Sequence, residues 1–137
     1  INLVANKTGW SQKLYRSLKI SQSWLNMSET GEEHHKHTHG LSLLSGILYL
    51  SRKSSTIFYL QSIYSLGTHV KVHDQDLTIA HEYQGDKGEL IIFPSCLEHA
   101  VSANLEPTPR YTLSVNSWFE GNFGHANDLT YVGNYTD

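Results

Sequence analysis

The chain has 137 residues, of which 39% are hydrophobic, and this suffices for one globular domain with a real core. Its formal net charge of −3 and scattered basic residues argue against a nucleic-acid partner, and no apolar run is long enough to span a membrane. The single cysteine, Cys96, excludes an internal disulfide and favours a reducing compartment. We expect residues 1–137 to form one domain of a chain whose start has been trimmed, since it begins with Ile1.

The first quarter of the chain is ambiguous between helix and strand. Trp10, Leu14 and Leu18 recur at helical spacing, which predicts a short N-terminal helix. Residues 20–26 alternate instead between apolar and polar side chains, as a strand does. Residues 30–32 have the composition of a turn.

The remainder of the chain has the composition of short strands separated by polar turns. The predicted strands are residues 47–50, 56–60, 69–73, 77–80, 89–93, 100–102 and 111–116. The predicted connections are residues 51–55, 74–76 and 85–88. Short strands at regular spacing, with almost no helix, indicate an all-β sandwich or barrel.

Histidines are concentrated in one short segment. Four of the nine histidines lie within residues 34–39, and His99 follows much later. In an extended strand, His37 and His39 would share one face. Imidazole is a good ligand for iron, zinc, copper or nickel, and a third ligand from a distant strand would leave one face of the metal open. The pattern predicts an open metal centre inside a jelly roll, or double-stranded β-helix.

His37, His39 and His99 are candidate ligands because they lie where strands begin or end, and two alternatives stay open. The pair could instead be His35 and His37, and Glu33 could supply a carboxylate from the same segment. The remaining histidines are expected to be structural or exposed: His69, His73, His81 and His125.

Several strings in the sequence resemble one family of enzymes. They are Trp24-Leu25-Asn26, Gly31, His37-Thr38-His39, residues 42–50, residues 88–101, residues 110–116 and the tail at 121–130. Over residues 22–131 the chain is similar to the 2-oxoglutarate/Fe(II) oxygenases of marine bacteria and their phages. The resemblance implies a double-stranded β-helix, Fe(II) as the metal, 2-oxoglutarate as the co-substrate, and the cytoplasm of a bacterium or an infected host cell. It also favours the pair His37 and His39, which keeps the family's spacing to Ser45-Gly46.

The co-substrate assignment depends chiefly on Arg110. The far carboxylate of 2-oxoglutarate needs a cation, and arginine offers a bidentate fork that is always charged. Arg110 follows His99 by eleven positions, enough for a turn and a return on the neighbouring strand. Tyr49, Tyr59 and Ser114 are further candidates, which would add hydroxyl hydrogen bonds. The chain departs from most such enzymes at His39, where they have a carboxylate.

The favoured function is a 2-oxoglutarate-dependent dioxygenase that hydroxylates a small-molecule or peptidyl substrate with O2 and releases succinate. One alternative is a cupin-like metalloenzyme without 2-oxoglutarate, in which Arg110 is structural or binds an acidic substrate. Another is a non-enzymatic jelly-roll binding module with an aromatic surface. That surface would comprise Trp10, Trp24, Trp118 and Tyr131. Exposed edge strands would allow a homodimer.

Overall fold

The computed structural model describes residues 18–51, 54–60, 71–72, 75–76 and 79–121. This part of the chain forms ten β-strands and no helix. The strands are β1 (Leu18–Ser28), β2 (His34–His37), β3 (Leu44–Tyr49), β4 (Ser54–Leu60), β5 (Lys71–Val72), β6 (Gln75–Asp76), β7 (Ile79–Gly85), β8 (Leu90–Pro94), β9 (Glu98–Val101) and β10 (Arg110–Phe119). None of the described residues belongs to a helix that could cross a membrane.

Eight of the strands form two four-stranded antiparallel sheets. Sheet A has the order β1-β10-β3-β8, and sheet B has the order β2-β9-β4-β7. The chain alternates between the two sheets at most connections, and β5 pairs only with β6. This interleaved order confirms the predicted all-β double-stranded β-helix.

The space between the sheets is more polar than apolar. A small hydrophobic cluster of Ile47, Tyr49 and Phe93 lies on sheet A. Phe58 of sheet B packs edge-on against Phe93, with ring centroids 5.0 Å apart. Among the described residues, four buried side chains are hydrophobic and ten are polar or charged. Because buried polar groups need partners, this interior has the character of a site as well as a packing core.

Strand β10 reverses the usual pattern of a half-buried strand. Its polar residues Arg110, Ser114 and Asn116 are buried, whereas Tyr111 between them is exposed. Leu113 lies in the outward register and pairs with Leu25 of β1, which is 62% exposed. The interior face of β10 is therefore a polar stripe, and its outer face is apolar.

Most predicted strands are confirmed, with three corrections. Ser54 and Ser55 were assigned to a polar connection but begin β4, because backbone pairing with β7 outweighs their composition. Gln75 and Asp76 were assigned to a turn but pair with β5 as a short strand. Leu18, the last residue of the predicted helix, begins β1 because it pairs with Phe119. The rest of that helix lies outside the described residues, as do parts of the strands predicted at 69–73 and 77–80.

Candidate metal centre

Three histidines meet between the two sheets. His37 is the last residue of β2 and lies opposite His99 of β9, and His39 follows two residues after His37. One ring nitrogen from each of the three lies within 4.8 Å of the other two. The Nε2 atoms of His37 and His39 are 3.0 Å apart. His99 is buried and the other two histidines are half-buried, so the cluster opens on one side.

Backbone carbonyls hold two of the three rings. Nδ1–H of His37 donates to the carbonyl oxygen of His35 at 2.7 Å. Nδ1–H of His99 donates to the carbonyl oxygen of Leu97 at 2.9 Å. Histidines that bind metals are oriented by such a bond from the second ring nitrogen. Each bond places the hydrogen on Nδ1 and leaves the Nε2 lone pair free.

A side chain holds the third ring. Nδ1–H of His39 donates to Oδ1 of Asn116 at 2.6 Å. Ser45 Oγ lies 3.3 Å from the same Nδ1. The ring of Trp24 lies beside His39, with centroids 5.7 Å apart. His39 therefore also presents Nε2 to the cluster, although it lies outside any strand.

Burial keeps the histidines in the form that binds metals. It is the main reason that the pKa of His99 falls to about 4, and the charges of His37 and His39 contribute in the same direction. Burial also lowers the pKa of His37. Neutral imidazole is the form that ligates a metal, so no proton must be removed from these two near neutral pH.

The distance between two of the three histidines fits a metal that is bound by one face. Two imidazole nitrogens that lie about 2.1 Å from a metal and about 90° apart are about 3.0 Å from each other. The Nε2 atoms of His37 and His39 have this separation. Among the described residues no carboxylate and no fourth histidine joins the group. His35, one alternative ligand, turns its ring toward His34 with centroids 5.3 Å apart, and Glu33, the other, is exposed.

A cavity extends from the histidine cluster between the two sheets. Its empty volume, with its open mouth and the adjoining solvent included, is about 580 Å³. Its lining residues are Trp24, Asn26, Ser28, His34, His37, His39, Ser45, Gly46, Ile47, Tyr49, Ser54, Thr56, Phe93, His99, Val101, Arg110, Thr112 and Ser114. The structure thus brings six of the seven predicted site residues to one cavity.

Arg110 is a buried cation, and none of the described residues gives it a carboxylate partner. Its side chain is 7% exposed, and Nη1 donates to the carbonyl oxygen of Ser102 at 2.8 Å. Neither of the two ion pairs found among the described residues includes Arg110. Burial lowers its pKa, and the nearby Tyr49 acts in the opposite direction. Because a buried charge is costly without a counter-charge, this part of the cavity favours an anionic ligand.

Hydroxyl groups accompany Arg110 in the cavity. Tyr49 Oη and Thr56 Oγ1 form a hydrogen bond of 2.8 Å, and burial raises the pKa of Tyr49, so its hydroxyl keeps its proton. Ser54 Oγ is buried and has no hydrogen-bond partner in the part of the chain that the structure describes. Nδ2 of Asn26 donates to Ser114 Oγ at 2.9 Å. The unpartnered Ser54 hydroxyl is therefore free for a polar ligand.

Tyr59 does not reach the cavity. Thr56 and the ring of Phe58 face the interior of β4, so the alternation of the strand turns Tyr59 outward. There the Nζ atom of Lys36 lies 4.6 Å from the Tyr59 ring centre, and Lys36 also pairs with Glu98 at 3.1 Å. The expectation that Tyr59 contacts the co-substrate is therefore wrong, because it lies on the opposite face of the strand.

Several cavity residues were missed from the sequence. They are Asn26, His34, Ser54, Thr56, Thr112 and the supporting residue Asn116. The period of two along β10, counted from Arg110, could have found Thr112 and Asn116. The same count along β2, made backward from His37, reaches His35 and not His34. His34 lies three residues before His37 because the register of β2 against β9 shifts between them.

Comparisons with known proteins agree with this geometry. A family model described as "Putative 2OG-Fe(II) oxygenase" matches residues 22–116. No curated protein is significantly similar in sequence.

Solved structures share the fold at low identity. The non-heme alpha ketoglutarate dependent epimerase SnoN from nogalamycin biosynthesis has a TM-score of 0.58 and 10% identity, covering 82% of this chain and 54% of its own. A Pseudomonas putida prolyl-4-hydroxylase has a TM-score of 0.53 and 16% identity, covering 85% of this chain and 62% of its own. The Drosophila melanogaster CENP-C cupin domain has a TM-score of 0.50 and 6% identity, covering 72% of this chain and 62% of its own. The chain therefore spans between half and two thirds of the length of each.

Proposed function

The chain belongs to the 2OG-Fe(II) oxygenase family, and from this premise we propose which residues serve its metal and its co-substrate. His37, His39 and His99 bind Fe(II) through their Nε2 atoms. Arg110 binds the distal carboxylate of 2-oxoglutarate. The reaction is the hydroxylation of a small-molecule or peptidyl substrate with O2.

One observation supports this assignment above the others. The same cavity is lined by three convergent histidines and by a buried arginine that has no carboxylate partner among the described residues. The three histidines can bind a metal, and the arginine can bind the far end of a dicarboxylate that also chelates this metal. A cupin-like site without 2-oxoglutarate would compensate the buried charge of Arg110 only if its substrate were acidic, whereas 2-oxoglutarate suits both the metal and the arginine.

The chain's own residues bind and orient the reactants. Fe(II), when bound, supplies O2 activation coupled to the decarboxylation of 2-oxoglutarate to succinate. Arg110 offers its guanidinium fork to the distal carboxylate, which fixes both position and direction. The hydroxyls of Tyr49, Ser54 and Ser114 donate further hydrogen bonds to the co-substrate. Phe93, buried beside His99, excludes water from the metal side.

The three-histidine ligand set affects the charge of the site. Three neutral imidazoles leave the full charge of a divalent metal in place, whereas a carboxylate ligand would reduce it by one. The 2-oxo acid end of 2-oxoglutarate is anionic, so its binding compensates this charge. The site therefore relies on the co-substrate for neutralisation at both ends, at the metal and at Arg110.

The direct test is an anaerobic titration of the metal-free protein with Fe(II) and then 2-oxoglutarate. We expect a visible metal-to-ligand charge-transfer band that requires both additions and is lost in Arg110→Ala. Lys19→Ala is the control, because Lys19 is an exposed cation that pairs with Glu120 away from the cavity. Metal binding without the band would favour the cupin-like alternative, and no metal binding would favour a binding module.

A further inference from the structure

A line of buried hydrogen bonds connects sheet A to His39. Ser42 Oγ lies 2.7 Å from Ser95 Oγ, and Ser95 Oγ lies 2.8 Å from Ser45 Oγ. Ser45 Oγ donates to Asn116 Oδ1 at 2.8 Å, and Asn116 Oδ1 also accepts from His39 at 2.6 Å. Ser45, Ser95 and Asn116 are 6% exposed or less. Side chains from β3, from the end of β8 and from the segment after β2 are therefore linked through the amide oxygen of Asn116 in β10.

The hydroxyl protons of Ser45 and Ser95 have definite places in this line. A serine carries one hydroxyl hydrogen, and that of Ser45 goes to Asn116. Ser95 then donates to Ser45, and Ser95 can accept from Ser42, whose Oγ also lies 3.2 Å from the carbonyl oxygen of Leu44 and 3.4 Å from that of Ser117. The hydroxyls of Ser45 and Ser95 both donate toward Asn116 Oδ1, while Asn116 Nδ2 faces Gln22 Oε1 at 3.4 Å. The amide orientation of Asn116 is thus set from two sides, and its oxygen faces His39.

We propose that Asn116 is the positioning residue of the metal centre: it holds His39 as the Nδ1–H tautomer so that Nε2 is the metal-binding atom. This inference rests on the proposed function of the three histidines. It concerns the one ring of the three that a side chain controls, since His37 and His99 use backbone carbonyls. His39 also has no strand to fix it, apart from its backbone N–H bond to the carbonyl oxygen of Ser95 at 3.0 Å.

The consequence of losing Asn116 follows from the chemistry of imidazole. The tautomer of a neutral histidine is set by the hydrogen bond that its second nitrogen makes. Without the amide oxygen, the hydroxyl hydrogen of Ser45 is released and can be donated to Nδ1 of His39, 3.3 Å away. The hydrogen of His39 then occupies Nε2, which can no longer bind a metal. Loss of an outer partner of this kind lowers metal affinity by about 10- to 100-fold.

The primary experiment reads the tautomer in the metal-free protein by 15N NMR of the histidine rings. We expect His39 to be Nδ1–H in the wild type and in Asn116→Asp, and to shift toward Nε2–H in Asn116→Leu. Asn104→Leu is the matched control, because Asn104 is equally buried but bonds to the carbonyl oxygens of Ser28 and Thr108. It should leave the His39 signals unchanged.

A calorimetric titration with Fe(II) alone under anaerobic conditions gives the second readout. We expect a 10- to 100-fold weaker affinity in Asn116→Leu and no loss in Asn116→Asp, whose carboxylate accepts from Nδ1–H more strongly. An unchanged His39 tautomer in Asn116→Leu overturns the proposal. If that variant does not fold, an unaltered Nδ1 proton shift in Asn116→Asp overturns it equally. Poor Fe(II) binding by every variant, wild type included, would contradict the proposed function but not the tautomer result.

Discussion

The hydroxyl oxygens of Tyr49 and Thr56 lie 2.8 Å apart, and this hydrogen bond joins the two sheets across the cavity. Tyr49 lies in β3 of sheet A and Thr56 in β4 of sheet B. They are 1% and 0% exposed, so neither hydroxyl can turn to water as a substitute partner. The pair therefore contributes to both the stability of the sandwich and the shape of the pocket beside Arg110.

Tyr49→Phe should destabilise the protein by about 1–2 kcal/mol, because it leaves the buried Thr56 hydroxyl without a partner. The measurement is urea unfolding of Tyr49→Phe, Thr56→Val and the double variant. We expect the double variant to lose less than the sum of the two single losses, with a coupling of about 1 kcal/mol. Strict additivity would show that the two hydroxyls do not interact in solution.

Gly85→Ala should destabilise the protein by about 2–3 kcal/mol through overpacking. A Cβ at Gly85 would overlap the ring of Tyr49, which cannot move without breaking its bond to Thr56. Gly40→Ala is the control, since nothing lies within 4 Å of a Cβ at that position. Equal free energies of unfolding for the two variants would contradict the close approach of Gly85 to Tyr49.

Arg110→Met should make the ligand-free protein more stable by about 1–3 kcal/mol. The variant removes a buried charge that has no carboxylate partner and keeps a similar volume. Thermal unfolding with and without 2-oxoglutarate, in the presence of Fe(II) and without O2, measures both effects. We expect 2-oxoglutarate to raise the Tm of the wild type and not that of Arg110→Met.

Lys19→Met, which changes an exposed cation, serves as the control for the loss of positive charge. A less stable Arg110→Met would mean that the guanidinium bond to Ser102 outweighs its burial.

The metal-free protein should lose stability as the pH falls from about 6.5 to about 4. The pKa of His99 is about 4 in the folded protein, against 6.5 without burial, so the unfolded chain binds the proton more strongly in this window. The contribution of His99 to the free energy of unfolding is therefore fully present above pH about 6.5. It falls by up to about 3 kcal/mol as the pH drops to about 4. Denaturant unfolding at a series of pH values measures the slope.

His99→Gln should flatten this pH profile, because glutamine does not titrate. His81→Gln is the matched control, since His81 is exposed on β7, and the slope should persist in it. An identical slope in His99→Gln and the wild type would assign the effect to other groups.

His39→Ala should reduce Fe(II) affinity more than the 10- to 100-fold that loss of a supporting contact causes, because it removes a ligand itself. His35→Ala should leave the affinity unchanged. The carbonyl of His35 holds His37, and alanine retains that carbonyl; the His35 ring lies 5.6 Å from the His37 ring but offers no nitrogen to the cluster. Calorimetry with Fe(II) compares the two variants directly. A loss in His35→Ala that matches the loss in His39→Ala would restore the alternative ligand pair of His35 and His37.

The sequence predicts the strands well, because period-two alternation and turn residues are local signals. It predicts His37, His39 and His99 from the close spacing of the first two, their places at strand ends and, for the choice of this pair, the resemblance to the family. Arg110 was also found, with Ser114 on the same face of β10. Arg110 and Ser114 were favoured because they lie in a string that resembles the co-substrate-binding strand of the family.

What the sequence could not predict depends on contacts between strands. The sequence of β10 does not show that its polar face is the buried one. Its alternation would suggest that Leu113 faces the core, and only the pairing with β1 shows that Leu113 lies on the outer face. The sequence does not show which face of β4 is turned toward the interior, so it cannot show that Tyr59 lies on the other face from Thr56. The sequence places Asn116 in the segment 110–116 that resembles the family. It does not show that Asn116 contacts His39, which is 77 positions away in the chain.

The register shift between His34 and His37 affects how the chain tolerates changes in length. Three steps along β2 oppose two steps along β9, so one residue in this stretch is already surplus to the ladder. Insertions and deletions before His37 can be absorbed there or in the preceding turn without moving His37 from His99. Insertion or deletion of one residue between His37 and His39 would instead turn one imidazole away from the other. Length variation among related sequences should therefore accumulate ahead of residue 37 and be absent from the two positions that follow it.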